Sequence, residues 1–371
     1  MIDAEQTSEF GGHPSMDLHA TISIRDRRAY RHLATGGSLG AAEAYLQGLW
    51  ECEDLVAFFR FMLRNQDALR KIDRGWASLR APFRWAARYF DRNTKRGSRR
   101  NIAAHYDLSN DFFALFLDET MTYSSGIFEH PLATLREASI AKYDRLCRRL
   151  ELTASDHVLE IGTGWGGFAI HAAEKYGCQV TTTTISQEQH DYARDEIERR
   201  GLEDKITLLL RDYRDLDGRF NKIVSIEMVE AVGHDFLEGY FRKCAELLKP
   251  GGRFALQAIT IRDDQFARYR QSTDFIQRYV FPGGCLPSVG SLEQAAAVTR
   301  HFRLRDHRDF GAHYATTIDR WRRAFRDNLD AVRALGFDER FIRMWNYYLC
   351  YCEAGFREGQ IGLAQQLYQK H

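Results

Sequence analysis

The 371-residue chain has no CxxC pair and no Cys/His spacing that fits a set of metal ligands. Its seven scattered cysteines exclude a disulfide scaffold and a structural zinc site, and they fit a reducing cytoplasm. No N-terminal stretch has the basic, apolar, small-residue order of a secretory signal. The most apolar segment, LVAFFRFML at 55–63, is short and interrupted by Arg60, which excludes a bilayer span there. Net charge is only +1, so overall charge selects no partner. No internal repeat is evident. With 44% hydrophobic and 28% charged residues the composition is that of a globular protein, sized for one large domain or two ordinary ones.

Charge is nevertheless unevenly distributed. Between Arg64 and Arg100, twelve Lys or Arg stand against three Asp. Such a patch faces nucleic acid or an anionic membrane surface, with a solvated helix face as the plain alternative. Helical spacing puts Arg80, Arg84, Arg88 and Arg92 on one face and Phe83, Ala87 and Phe90 on another. That aromatic interleaving suits a membrane interface at least as well as single-stranded nucleic acid. Upstream, SLGAAEAYLQGLWECEDLVAFFRFMLRNQ has apolar residues three and four apart and reads as helix. NTKRGSRR then reads as a linker. From about 156 the pattern alternates: HVLEIG, QVTTTTI, ITLLLRDY, KIVSIEMV and RFALQAIT read as strands with helices between them. This is a βαβ series, hence an open α/β sheet.

The first strand runs into EIGTGWGGF, a glycine cluster opening a helix. A P-loop would need Lys followed by Ser or Thr at the end of that turn, and neither is there. Gly162, Gly164 and Gly166 allow a ligand to approach the backbone closely, with Trp165 among them. Glu160, just before the turn, is suited to accept from an amino group. Asp212, after the third strand, is suited to hold the exocyclic amine of an adenine. With LKPGG before the last of these strands, the order of pieces resembles a class I methyltransferase using S-adenosylmethionine (SAM). The second strand ends TTTTISQEQ, without the acidic residue that often holds ribose hydroxyls, so Thr184, Ile185, Ser186 and Gln189 are left to do this as neutral partners.

The resemblance sharpens with AHYDLSNDFFALFLDETMTYSSGIF, EMVEAVGH, DFIQRYVFPGGCLPS and YYLCYCEAGFRE. From about residue 100 to the end, the chain resembles the cyclopropane-fatty-acyl-phospholipid synthase family, relatives of the mycolic acid methyltransferases. The resemblance implies an α/β fold of class I SAM-dependent methyltransferase type: a Rossmann-like, seven-stranded mixed sheet with a smaller helical N-terminal domain. Residues 1–95 are expected to be a basic, lipid-associating module, and 100–371 the methyltransferase domain with helical acyl-chain-binding insertions. The implied reaction moves a methylene from SAM to the cis double bond of an unsaturated phospholipid acyl chain. An alkene is a poor nucleophile and attack leaves a carbocation, so the site needs a dry apolar tunnel, cation-tolerant aromatic faces and a base. Phe275, Tyr279, Phe281, Tyr314, Trp321, Tyr347 and Tyr348 are candidates for its walls.

In that family the base is a bound bicarbonate, held by a Cys, a Glu, a His and a Tyr. Matched by motif, the Glu is Glu230 and the Tyr is Tyr314, with Ile259 offering backbone groups. Two positions depart: the Cys is Ser125 here and the His is Gln257, both still able to donate hydrogen bonds. Cys352 matches a Cys that has been given an active-site role, although a buried structural thiol suits it better than a nucleophile. The family pattern also points to Tyr123, Ser124, Tyr213 and Arg214 for SAM. The implied location is cytoplasmic, against the inner face of an anionic membrane, with no metal, no nucleic acid and a homodimer left open. Two other outcomes stay open: plain methyl transfer giving a methyl-branched or methylene-bearing chain, and a non-catalytic binder on a decayed methyltransferase.

Overall fold

A computed structural model describes residues 18–65 and 108–371, together with 2–3, 6–8 and 97. The arginine face of Arg80, Arg84, Arg88 and Arg92 and most of the expected linker lie outside the described residues.

Seven strands form one sheet: β5 (His157–Ile161), β6 (Gln179–Thr184), β7 (Ile206–Leu210), β8 (Phe220–Ile226), β9 (Leu248–Ile261), β10 (Phe302–Asp309) and β11 (Ile361–Lys370). Their spatial order is β10-β11-β9-β8-β5-β6-β7. The strands from β5 to β9 pair in parallel, while β11 runs antiparallel between β9 and β10. Chain order therefore reverses direction between β5 and β8, and a crevice opens at their carboxyl ends, where ligands of such sheets bind.

Parallel strands buried on both faces read as continuous apolar runs. Residues 158–161 of β5 are accordingly all buried. Helices α3 (Leu135–Leu150), α4 (Gly167–Tyr176) and α5 (Gln187–Arg199), with α6 (Leu237–Leu247) and α7 (Val289–Val298), accompany the strands. Two hydrophobic clusters hold these layers: one around Phe241, Phe254 and Tyr368, the other around Leu146, Phe168 and Val180.

A third cluster joins the ends of the chain. It unites α1 (Arg28–Leu46) and α2 (Leu55–Arg64) with α8 (Gly311–Asp327) and α9 (Glu339–Arg357). Tyr347 of α9 lies 4.8 Å from the Phe59 ring and 5.4 Å from that of Tyr45. Arg60 and Arg64 reach Glu358 at 2.7 and 2.8 Å, and Arg343 reaches Glu51 at 2.9 Å. These pairs are partly open to solvent, which screens them, so buried aromatic area, not charge, supplies most of the attachment.

The helical reading of 38–66 needs a correction. Gly48, at φ +72°, turns the chain out of α1. Trp50–Cys52 then forms a strand, β4, paired with β3 (Ile22–Ile24) in a small sheet whose other members are β1 (Ile2–Asp3) and β2 (Gln6–Thr7). Asp54 restarts the helix by accepting from the Ala57 N–H at 2.9 Å. The first half of the long apolar pattern is thus divided by a turn that periodicity alone does not register.

Candidate active site

The glycine turn leaves β5 with Gly162, Gly164 and Gly166 at φ +102°, +54° and +94°. The Gly162 and Thr163 N–H groups both donate to Thr183 O at 3.0 Å, tying the turn to the tip of β6. A Cβ at Gly164 would meet nothing within 4 Å, and the residue lines a cavity. The backbone is bare where a ligand would lie. Next to it the buried Glu160 accepts from Thr182 Oγ1 at 2.6 Å, and Thr163 Oγ1 stands 2.7 Å from the same hydroxyl. Burial pushes the Glu160 carboxyl up to about 8, against the opposing pull of Thr182 and of the Lys142 ammonium.

Around the rest of the crevice the neutral partners anticipated after β6 do interlock. Thr184 donates to Gln189 Oε1 at 2.8 Å, while Ser186 caps α5 by accepting from Gln189 N–H. Thr184, Ile185 and Gln189 line the cavity; Ser186 and Gly166 stand behind it. Asp212 is buried and held by Arg214 through Nε at 2.8 Å and Nη2 at 2.6 Å, so its carboxylate is fixed in place rather than solvated. Tyr213 lies at the same edge, packed edge-on against Tyr240. Tyr123 and Ser124 close the opposite side: the Tyr123 and Tyr348 hydroxyls stand 2.9 Å apart, and Lys142 Nζ donates to Ser124 Oγ. Trp165 donates to Asn110 Oδ1 at 2.6 Å.

At the tip of β8 the arrangement differs from the sequence reading. Ser125, Gln257 and Tyr314 do meet, but around Glu227, where the resemblance implied a bicarbonate held together with Glu230. Glu227 Oε1 accepts from the Ser125 N–H at 3.0 Å and from Gln257 Nε2 at 2.7 Å; Oε2 accepts from the Tyr314 hydroxyl at 2.6 Å. The Ser125 hydroxyl turns away and donates to Gly126 O at 3.0 Å. Glu230 accepts instead from the Ile259 N–H, and its Oε2 is buried with no partner among the described residues. Both carboxyls are enclosed by protein although they form part of the cavity wall. Burial raises both, and the charge on Glu227 helps push Glu230 up to about 8. Lys142, wholly buried and lowered to about 8 by desolvation, is the cation whose field favours Glu227 as the ionised member.

Three of these participants, Glu227, Lys142 and Gln365, escaped the sequence reading. Gln365 Nε2 donates to Gln257 Oε1 at 2.7 Å. A carboxylate at the carboxyl end of an apolar parallel strand, within β5 at Glu160 and directly after β8 at Glu227, is the one signal that would have marked Glu227. Lys142 lies in a polar helical stretch, and nothing in its spacing predicts burial.

The cavity measures about 1340 Å³, larger than the roughly 300–1,000 Å³ that holds one drug-sized ligand. From the glycine turn it continues past Tyr314, Tyr347, Tyr348 and Phe281 to α1 and α2, where Ala29, Leu33, Phe58 and Met62 contribute to mainly apolar walls. Leu33 and Tyr30 are also partly open to solvent, which puts an apolar mouth on α1. Phe275, Tyr279 and Trp321 are not part of the lining: Trp321 is 1% exposed, in the packing behind Tyr314. Cys352 does line it, and burial drives its thiol well above the ordinary range, the opposite of what a thiolate nucleophile needs. Among the described residues no His/Cys/Asp/Glu group is arranged for a metal, and no helix is long and apolar enough to cross a membrane.

Residues 93–366 match the family described as Mycolic acid cyclopropane synthetase. The chain is 39% identical over 360 residues to tuberculostearic acid methyltransferase of Mycobacterium tuberculosis, covering 95% of this chain and 82% of that protein. It is 36% identical over 351 residues to cyclopropane-fatty-acyl-phospholipid synthase of Escherichia coli, covering 95% and 88%. Among solved structures it superposes on mycolic acid cyclopropane synthase CmaA1 complexed with SAH and CTAB with a TM-score of 0.69 and 33% identity, over 73% of this chain and 98% of that one.

Proposed function

The chain belongs to the mycolic acid cyclopropane synthetase family of SAM-dependent methyltransferases, and from that premise we propose that it converts the cis double bond of an unsaturated phospholipid acyl chain into a cyclopropane ring. One observation carries this reading: the glycine turn opens into a long, mainly apolar cavity with buried carboxylates at the junction. Bound SAM supplies an electrophilic sulfonium methyl that the double bond attacks. Glu160 and the turn hold the donor's amino acid end, and Asp212 with Tyr213 borders its adenine end. Tyr314, Tyr348 and Phe281 present π-faces to the carbocation left on the acyl chain, and the apolar walls exclude the water that would trap it. Residues 1–95 then serve to bring the enzyme to an anionic membrane surface, where such a lipid resides.

A second outcome, methyl or exomethylene formation, is favoured by the 39% identity to a protein named tuberculostearic acid methyltransferase. Ring and exomethylene products are isomers, so mass alone does not separate them. Incubation with SAM and monounsaturated phospholipid vesicles, followed by proton NMR of the lipid, is expected to give high-field ring signals. Exomethylene or branch-methyl signals in their place would reject the ring.

Glu160 makes SAM binding pH-dependent. With its carboxyl raised to about 8, the empty site holds it mostly protonated at neutral pH. An ammonium placed against it favours the carboxylate, so binding expels a proton. Expulsion is easier as pH rises, so affinity for SAM should strengthen as pH approaches 8, and weaken again at higher pH as the ligand's own ammonium loses its proton. Calorimetry in buffers of different ionisation enthalpy measures the released proton directly; a flat affinity profile with no release would remove Glu160 from the donor site.

A further inference from the structure

The bicarbonate implied by the family resemblance does not fit this site. The groups that would hold it are already committed to a carboxylate of the chain itself: the Ser125 N–H, Gln257 Nε2 and the Tyr314 hydroxyl all donate to Glu227. The commitment is fixed from behind. Gln365 donates to the Gln257 carbonyl oxygen at 2.7 Å, so the Gln257 NH₂ must face Glu227. Sheet register enforces the alignment, pairing Ile226 with Gln257 and Gln257 with Gln365 across β8, β9 and β11. The Glu227 N–H itself donates to Gln257 O at 2.8 Å. A free anion would have to take these donors from Glu227 and then lie between the Glu227 and Glu230 carboxyls, where the nearby cation Lys142 already favours the Glu227 carboxylate.

The backbone supports the same conclusion. Glu227 sits at φ +50°, in the left-handed region that non-glycine residues seldom enter. Such strain persists at functional sites because the surroundings over-determine it. Here it directs a carboxylate of the same charge and the same planar O–C–O shape as bicarbonate onto the anion's donors. Glu227 also lines the cavity where the glycine turn meets the acyl channel, beside Met228 and Gly162.

We propose that Glu227 is the proton acceptor of the reaction, built into the chain in place of a dissociable bicarbonate. The step rests on the acyl-chain reading above. A C–C bond forms between the donor's methyl carbon and one alkene carbon as the C–S bond breaks, its electron pair leaving with sulfur. The other alkene carbon becomes cationic. Glu227 takes one proton from the added methyl, and the electron pair of that C–H bond closes the ring. The chain ends one proton richer at Glu227, and that proton passes to solvent before the next turnover.

The test uses the full-length wild-type chain, Glu227→Gln and Glu227→Gly, with SAM and monounsaturated phospholipid vesicles in CO₂-free buffer and with added bicarbonate. Wild-type turnover should be the same in both. Glu227→Gln should lose about 100-fold or more in kcat, the scale of a lost general base, while SAM affinity by calorimetry is retained. Glu227→Gly, whose φ glycine adopts freely, should be equally impaired without added anion and regain turnover with bicarbonate or formate. Wild-type turnover that requires bicarbonate, or a Glu227→Gln variant with wild-type kcat, would overturn the assignment alone. Absence of any lipid product from the wild-type chain, with bicarbonate or without, would overturn the acyl-chain reading as well.

Discussion

Gly162→Val is expected to abolish measurable SAM binding, and turnover with it. At φ +102° the position is one that only glycine occupies without strain, and a valine is stiffer still because its branch limits χ1. A Cβ would also fall 3.1 Å from Met228 Cβ, so Met228 or the turn must move. Neither can move alone. The turn is tied to Thr183 O through two N–H groups, and Met228 follows Glu227, whose carboxylate is gripped by three donors. Strain of about 1–3 kcal/mol is therefore relieved by displacing the cradle itself. Gly201→Val is the control: φ is +63° and nothing lies within 4 Å of its Cβ, so it carries backbone strain away from the cavity and should bind SAM normally. Calorimetric titration of both variants is decisive, and wild-type affinity in Gly162→Val would show that the donor lies elsewhere.

Arg322→Met should be the most destabilising single change outside the cavity. Glu353 on α9 is 1% exposed and is held by Arg322 of α8 at 2.8 Å and by Arg357 at 2.8 Å. Arg322 also reaches Asp319 at 2.8 Å. Removing one partner of a buried pair costs about 3–5 kcal/mol, because the remaining charge stays desolvated and unmatched. Arg357, still in place, keeps the loss near the lower end. The expected signature is a fall in Tm of roughly 4–6 °C for a chain of this length. Arg322→Met combined with Glu353→Leu should recover most of it, since no buried charge is then left unpaired. The consequence reaches the site: α8 carries Tyr314 and α9 carries Tyr347, Tyr348 and Cys352, so loosening these two helices loosens the channel wall. An unchanged Tm in the single variant would mean that Arg357 alone compensates Glu353.

What could be read from the sequence follows from how each element is buried. Strands β5 and β8 announce themselves because a parallel strand covered on both faces is an apolar run, while β6 is legible from its β-branched threonines. FRLRDHRD and IGLAQQLYQK do not, since β10 is an edge strand with charged residues and β11 places Gln365 and Gln366 inside. The turn that lines the cavity is local in sequence: a glycine cluster and the acid before it lie in one short segment. The base is not. Glu227 acquires its role only when β8, β9, β11 and α8 converge, and no single segment contains that convergence. The same holds for α1 and α2, which were expected as part of a basic, lipid-associating module while the fold spends part of them on the cavity wall.

The left-handed backbone at Glu227 has an evolutionary consequence. Glycine is the residue that such a backbone accepts most readily, and the glutamate codons GAA and GAG differ from the glycine codons GGA and GGG only in the middle letter. One point mutation therefore turns Glu227 into glycine with the loop's path unchanged, removing the carboxylate and leaving its three donors open to an anion from solution.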